Sequence, residues 1–477
     1  MDTEKYVRLV QAHRSEILAA EQYIWAHPET GYREWNTSAY LEQIFENAGY
    51  TLTKAGNIPG FYTDIDTGRP GPKLLILCEL DALYVPNHFA AVDGCAHACG
   101  HHAQCAAMVG LALALKASGA LDGLSGSIRL MAVPAEECIQ TEFRAGLRQQ
   151  GVIRYLGGKD EFMYRGYFDG VNLAFMFHTG GSGKSLFDVH AGCNGSIIKQ
   201  ARYEGVATHA ASTPELGVNA LYAASLGLQA INSLRETFRD QDHVRVHPIM
   251  TDGGDSVSVI PSSSALAMMV RGGSLSSIRQ TSVKVDRALA AGALALGARL
   301  HVTDYPGYAP LHNAPMMVDF AVEVMSQLVG SGRTLRTNNW GSGSTDMGNV
   351  SCVMPVLHPY IGGAAGKSHG DDYRIVNPEN ACLVSAEGQL ALAARLLEND
   401  AAAAEAVIAS YHAPYASIRD YLVDWDHYGK SEDLISYGDG QATVCFGSNG
   451  ARCAQSNDRS EERRVGKECR SRWSPYH

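Results

Sequence analysis

The sequence predicts an α/β protein of two domains, one of them an α+β unit inserted into the other. Apolar strand-like runs alternate with helix-like runs between residues 73 and 178, the pattern of an α/β sheet. Polar residues able to bind metals collect where those strands end, which places a site at one edge of the sheet. Near residue 190 the character changes: two long Ala- and Leu-rich helices and about four strands make a complete small layer of their own.

Taken in order, residues 3–26 read as one amphipathic helix. After "HPETGYREW", Asn36 or Thr37 can cap a second helix that carries Leu41, Ile44, Phe45 and Ala48 on one face and stops at Gly49. A turn-rich hairpin region leads to the strand 73–80, the helix 101–118, the strand 127–133 and the apolar run "NLAFMF", which ends in His178. The segment 138–170 carries little pattern. In the insert, "NGSIIKQARYEGVATHAAS" and "SALAMMVRGG" read as strands, and 217–235 and 275–298 as helices. A helix at 315–329, the strand "VMPVLHPYIGG" and a helix at 378–397 then complete the first domain. The expected division is 1–190 and 307–400 for one domain, 191–306 for the insert, and 401–477 for a C-terminal extension. Its last run, "SNDRSEERRVGKECRSRWSPYH", has almost no apolar periodicity, and about 20 residues there are expected to be non-native or disordered.

Composition excludes several classes. A chain of 477 residues with 45% hydrophobic and 19% charged residues is globular and long enough for two or three domains. A net charge of −11 argues against a nucleic-acid surface. The N-terminus lacks the apolar segment of a secretory signal, and the most apolar run, 106–115, is too short to span a bilayer. Eleven cysteines, an odd number, fit reduced thiols better than a disulfide framework. No nucleic-acid or membrane partner is expected, and the expected location is cytoplasmic.

The stretch from residue 73 to 137 carries the chemistry: "KLLILCELDAL", then "HACGHH", then "VPAEE". Cys99 and His101 offer a thiolate and an imidazole, and Gly100 between them lets both face one ion. Glu137 adds a carboxylate, while Glu136 beside it is free to act as a base toward a metal-activated water. Cys99 and His101 alone fit a structural zinc site or no metal at all about as well as a catalytic one; "AEE" at a strand end favours catalysis. Cys95 and His97 fall on the same side of an extended run as Cys99, too crowded for one ion to use all three. His13, His88, His190, His243, His247, His301 and His312 lack a supporting motif and read as surface or satisfied core groups. His209 and Arg271, judged without further context, read as a strand-edge histidine and a surface arginine.

From about His27 to Leu397 the chain resembles the aminoacylase/carboxypeptidase-type metallopeptidases, specifically their amidohydrolase branch. The motifs are "HPETG", "ELDAL", "HACGH", "PAEE", "FMFH", "ATHAASTPELGVNAL", "VIP", "VRG", "GSTDMGNVS" and "SHGDDY", in that order. The resemblance implies a mixed-sheet α/β catalytic domain with an inserted lid and dimerisation domain. It implies two divalent ions, zinc first with manganese or cobalt compatible, held by Cys99, His101, Glu137, His178 and His369. It makes Glu136 the general base, Asp81 the acid that orients the ligands, His209 a lid histidine that reaches the scissile carbonyl from a neighbouring protomer, and Arg271 the clamp on a substrate carboxylate. The chain departs from the branch at His102 and Gln104 after "CGH" and at Ser258 near "VIP", where an Asn is usual. His102 can therefore compete as a ligand, and His358 in "LHPYIGG" rivals His369.

The expected protein is a homodimer, formed through the lid, that cleaves the amide bond of an N-acyl amino acid, an acyl-glutamate or a dipeptide bearing a free carboxylate. Two other readings remain open at this point. One is a cysteine hydrolase with Cys99 as nucleophile and His101 as its base; the other is a metal-binding protein without catalysis.

Overall fold

The computed structural model describes residues 3–181, 183, 185–438 and 441–446, so the last run singled out above lies outside the described residues. Its main sheet runs in the order Thr53–Lys54, Phe61–Asp66, Ser127–Val133, Lys73–Glu79, Leu173–Phe175, Val356–Leu357. The last four strands are mutually parallel, Phe61–Asp66 runs antiparallel to them and Thr53–Lys54 antiparallel to it in turn, so the sheet is mixed. Lys73–Glu79 and Ser127–Val133 are buried at every position after the first. Such unbroken apolar runs belong to strands covered on both faces.

One cover is the helix His101–Leu115, buried all round except at Leu113. Gly110 lets it pack closely: a Cβ there would stand 2.8 Å from Cδ1 of Ile17 and 3.1 Å from Cβ of Ala386. Ile17 lies on Arg14–Trp25, the second of two helices into which the expected 3–26 helix divides. The break comes at Ala12 and His13, where the His13 N–H turns back to the Val10 carbonyl at 2.9 Å. The next helix, Trp35–Asn47, is capped from a distance. The Glu29 carboxylate accepts from the N–H of Asn36 (3.1 Å) and Thr37 (2.9 Å), so neither Asn36 nor Thr37 supplies the cap. The helix expected at 378–397 opens as a π-turn, Glu379–Val384, and continues as Ser385–Ser410 with non-helical dihedrals from Glu398 to Ala401.

The insert is a second antiparallel sheet, ordered Arg245–Asp252, Ser263–Gly272, Gly195–Glu204, Arg299–Tyr308. Ser263–Gly272 alternates between buried and half-buried positions, and the helices Ala220–Ser233 and Leu275–Leu296 cover the buried face. Two further strands from the C-terminal extension lengthen this sheet. Lys430–Gly438 pairs with Arg299–Tyr308, and Gln441–Val444 pairs with it in turn.

The extension reaches that edge by way of the catalytic body. Its helix Ile418–Asp426 packs beside Gly158–Tyr164, where Trp425 Nε1 (2.9 Å) and the Tyr421 hydroxyl (3.2 Å) donate to Asp160. Asp426 pairs with Arg154 and accepts from the Tyr155 hydroxyl at 2.9 Å. Lys430 then joins a buried ion cluster of the insert. Its Nζ lies 2.6 Å from Asp286, whose other oxygen bonds Lys199, itself held by Asp304. Among the described cysteines, Cys78, Cys95, Cys99, Cys105, Cys138, Cys193, Cys352 and Cys382 are free thiols. No helix among the described residues is long and apolar enough to cross a membrane.

Candidate metal centre

The site lies where the four parallel strands end. Lys73–Glu79 runs on to Asp81, Ser127–Val133 to Glu136 and Glu137, Leu173–Phe175 to His178, and Val356–Leu357 to His358. Parallel strands point their carboxyl ends the same way, so residues distant in sequence meet at one edge. Cys99 and His101 enter from the turn into the buried helix. Gly100 makes that turn at φ 93, and a Cβ there would stand 2.4 Å from the Tyr373 hydroxyl. Both the left-handed backbone and the close approach require glycine. His369 comes from the opposite loop, also left-handed at φ 62, with its N–H bonded to the Ala98 carbonyl at 2.8 Å.

Donor atoms of Cys99, His101 and His178 all lie within 4.8 Å of one another, and so do those of Cys99, Glu137 and His369. Cys99 belongs to both groups: its Sγ is 3.4 Å from His178 Nε2, while His369 Nε2 is 3.1 Å from Glu137 Oε1. The five residues expected as ligands are therefore assembled in one place. A third grouping joins His101 to Glu79 and Glu136, but Glu79 is already bonded to Lys159 Nζ (2.6 Å) and Gln104 Nε2 (3.0 Å).

Their partners leave the metal-facing atoms free. His101 Nδ1 donates to the Asp81 carbonyl (2.9 Å) and to its carboxylate (3.1 Å), and the buried Nε2, 3.2 Å from Glu79 Oε2, makes no hydrogen bond among the described residues. His178 Nδ1 is tied to the Thr179 carbonyl at 2.9 Å. The other Asp81 oxygen accepts the Glu137 N–H at 2.8 Å, and Glu137 Oε1 is buried against His369 Nε2 at 3.1 Å. A thiolate, imidazoles and a carboxylate converging with unsatisfied buried atoms fit divalent metal ions.

Electrostatics bind the set together. Burial and the Glu137 charge push the Cys99 thiol up, but His101 and His178 outweigh them and bring it to about 6. Hydrogen bonds with Cys99 and Glu137 lift His369 to about 10. Burial, followed by the charges of Glu79 and Glu137, raises Glu136 well above the usual carboxylate range. Lys159 supports the floor of the site, bridging Glu79 and Asp346 with no solvent exposure.

The loop bearing Glu136 and Glu137 is fixed from behind. Ala135 sits at φ 59, a strained conformation for alanine. The Glu34 carboxylate holds its N–H at 2.7 Å, and buried Arg144 donates to the carbonyls of Ala135, Glu137 and Leu156. The Tyr308 hydroxyl, from the insert's last strand, donates to the Glu136 carbonyl.

Cys99, Glu136, Glu137, His178, Tyr308 and His369 line a cavity of about 760 Å³, within the ordinary range for small-molecule sites. Arg271 lies on its wall and donates to Ser344 Oγ at 2.8 Å. His358 is on the wall too, outside every ligand group; burial, then the His178 charge, lower it to about 3, and neither ring nitrogen is hydrogen-bonded. His102 points away, with Nε2 3.4 Å from Glu21 and its ring 5.0 Å from that of His97. His88 is a satisfied buried residue, as expected, bonded to the Tyr373 carbonyl at 2.8 Å. His190 requires a correction: it is neither surface nor core but stands on the cavity wall beside Asp188. His209 is exposed on the insert, near Ser258, and does not line the cavity of its own chain. Its Nδ1 accepts from the N–H groups of Ala211 and Ser212, both at 3.1 Å, which leaves the proton on Nε2.

Asp188, Tyr308, Arg144 and Lys159 had no signal in the sequence. Asp346 lies within the motif "GSTDMGNVS", where it could have been found.

Fold and site together define a metal-dependent amidohydrolase or peptidase. Residues 61–395 match the model of peptidase family M20/M25/M40, and the chain belongs to that family. It is 29% identical to the human Xaa-Arg dipeptidase over 381 residues, 74% of this chain and 78% of that protein. It is also 29% identical to one of the p-aminobenzoyl-glutamate hydrolase polypeptides of Escherichia coli K12 over 300 residues, 60% and 56% of the two chains. The fold matches a solved putative aminohydrolase from methicillin-resistant Staphylococcus aureus with a TM-score of 0.68 at 20% identity, over 83% of this chain and all of that one. It also matches a Bacillus subtilis protein described as a dinuclear metal binding peptidase of the M20 family, with a TM-score of 0.60 at 18% identity over 81% and 99% of the chains.

Proposed function

We propose that this chain hydrolyses an amide whose amine side is an amino acid with a free α-carboxylate. The observation that carries the reading is Cys99 shared between two ligand groups, with Glu136 beside them and Arg271 on the wall of the same cavity. Cys99, His101 and His178 would hold one divalent ion and Cys99, Glu137 and His369 the other, zinc being the first candidate. Such a pair would supply a Lewis acid and a more acidic water, with ions roughly 3.5–4 Å apart in two-metal sites generally.

The chain's own residues do the rest. Glu136 takes the proton of the attacking water and delivers it to the leaving amine nitrogen. Asp81 orients His101 and the Glu137 peptide at once, which fixes one ligand at the start of the buried helix and another in the loop after Ser127–Val133. Arg271 offers its planar fork to the substrate carboxylate.

His209 is assigned to the active site of a second copy, where its Nε2–H would face the carbonyl oxygen as charge develops. A lid-to-lid homodimer is supported by the edge strand Arg245–Asp252, which pairs on one side only and exposes Ile249 and Met250. The opposite edge of that sheet is already covered by Lys430–Gly438.

Names of the relatives point to both dipeptides and acyl-glutamates as substrates. A turnover screen over N-acyl amino acids and dipeptides, before and after chelation and after adding back each metal, tests the reading. Hydrolysis abolished by the chelator and restored by a divalent ion is expected. Turnover that resists the chelator but not a thiol reagent would favour the Cys99 nucleophile with His101 as its base, His178 at 3.4 Å lying beside the same sulfur.

A further inference from the structure

The proposed reaction uses Arg271 for a carboxylate but leaves one charge of the cleft without a task. Among the described residues, the cavity is lined by three carboxylates, Glu136, Glu137 and Asp188. The first two belong to the metal centre. Asp188 sits on the short strand Phe187–Val189, whose flanking Phe187 and Val189 are buried in the core, so the alternation turns Asp188 toward the cavity. Its Oδ1 is buried and has no hydrogen-bond partner among the described residues. Among the described residues His190 Nε2 lies 3.8 Å from the other oxygen, and that ring is held by Thr337 Oγ1 at 3.0 Å through its Nδ1. A carboxylate oxygen kept from water without a donor is costly unless a ligand supplies one.

Tyr360 stands directly opposite Asp188 in the antiparallel pairing with Tyr360–Ala365 and lines the same cavity. Residues opposite one another share a face of the sheet, so an aromatic ring flanks the carboxylate. A carboxylate beside an aromatic ring suits an ammonium or guanidinium, which the ring attracts as well.

We propose that Asp188 and Tyr360 form a cation subsite, which makes the preferred substrate an amide carrying both a carboxylate for Arg271 and a positively charged nitrogen for Asp188. The inference rests on the amidohydrolase reading and narrows it. A second carboxylate in that position would meet Asp188 unscreened, so an acyl-glutamate is a disfavoured substrate. The positive nitrogen can belong to a basic side chain on the amine-side residue or to the free amino group of a dipeptide, and the two sources can be separated.

Binding tests the subsite without turnover. L-arginine and L-citrulline share the α-carboxylate and chain length but differ in charge. Calorimetry on the metal-loaded protein is expected to give arginine a roughly 10-fold advantage, which Asp188→Asn reduces to within about 2-fold by weakening arginine, as loss of a charged hydrogen-bond partner would. Turnover then locates the nitrogen. If it is a side chain, glycyl-arginine and acetyl-arginine are cleaved alike and both outpace acetyl-citrulline. If it is the amino terminus, glycyl-citrulline outpaces acetyl-citrulline by the same margin, and arginine and citrulline then bind alike. In either case Asp188→Asn lowers kcat/KM on the preferred compound through KM. Wild-type protein indifferent to charge in both positions, or charge preference intact in Asp188→Asn, overturns the subsite. Charge-selective binding with no amide cleaved would instead refute the amidohydrolase reading and leave the subsite standing.

Discussion

Asp81→Asn is the sharpest probe of how the site is held. The wild-type carboxylate accepts from His101 Nδ1 at 3.1 Å with one oxygen and from the Glu137 N–H at 2.8 Å with the other. An amide of the same shape has one acceptor and one donor. Whichever way it turns, its NH2 faces an N–H, because His101 Nδ1 must keep its proton for the Asp81 carbonyl at 2.9 Å. One bond to a charged acceptor is lost, worth about 1.5–3 kcal/mol. At about 1.4 kcal/mol per decade that is roughly a 10- to 100-fold loss of metal affinity, the range found when partners of metal ligands are removed. Competition against a chromophoric chelator measures it directly. The backbone bond to His101 survives, so the ligand set should weaken rather than collapse, and excess metal should restore most activity. A dissociation constant within 2-fold of wild type would show that Asp81 does not orient the ligands.

Four further expectations follow from the same geometry. Glu136→Ala should keep its metal content while turnover falls by about 10²–10⁴, the usual worth of a positioned acid or base; equal loss of metal and activity would exchange the roles of Glu136 and Glu137. His369→Ala should strip metal while His358→Ala retains it, since only His369 lies in a ligand group; the reverse result on metal analysis would make His358 the ligand. Arg271→Ala should erase most of the rate difference between a free-acid substrate and its carboxamide, and equal rates for both forms with the wild type would remove the clamp. Burial raises Asp160 to about 8 despite its three donors, against roughly 4 in an unfolded chain. The native state therefore holds the extra proton between those values, and its stabilising share is full below about pH 4 and lost as pH rises toward 8. Asp160→Asn should flatten that fall in a series of thermal melts, and an unaltered slope would refute the shift.

Much of the frame is legible because local sequence and tertiary burial agree. Residues 73–79 and 127–133 are unbroken apolar runs and became central strands, and the helices near 101–115, 275–296 and 315–329 carry their own boundaries. Sequence pattern fails where the deciding partner is remote. The periodicity through residues 3–26 hides the break at His13, and the cap on Trp35–Asn47 comes from Glu29, outside that helix. Lys430–Gly438 has little alternation to show because its register is set by a strand some 130 residues earlier. At the centre itself, motifs name the five candidate ligands that the fold brings together, but no spacing reveals Lys159 beneath them or Asp188 across the cleft. Each matters through a neighbour contributed by another strand or helix.

The C-terminal return has a consequence for how the molecule is made. Synthesis runs from the N-terminus, so the four strands of the insert emerge long before Lys430–Gly438 exists to cover their outer edge. Until then Arg299–Tyr308 presents unpaired backbone groups on one side, and Asp286 and Asp304 share Lys199 as their one buried cation among the described residues. A nascent chain stalled just short of residue 430 would thus carry an adhesive sheet edge and an uncompensated charge, the two conditions that favour capture by a chaperone or pairing with a second unfinished chain. A stretch made long afterwards thus seals the part of the fold that began to form near residue 195.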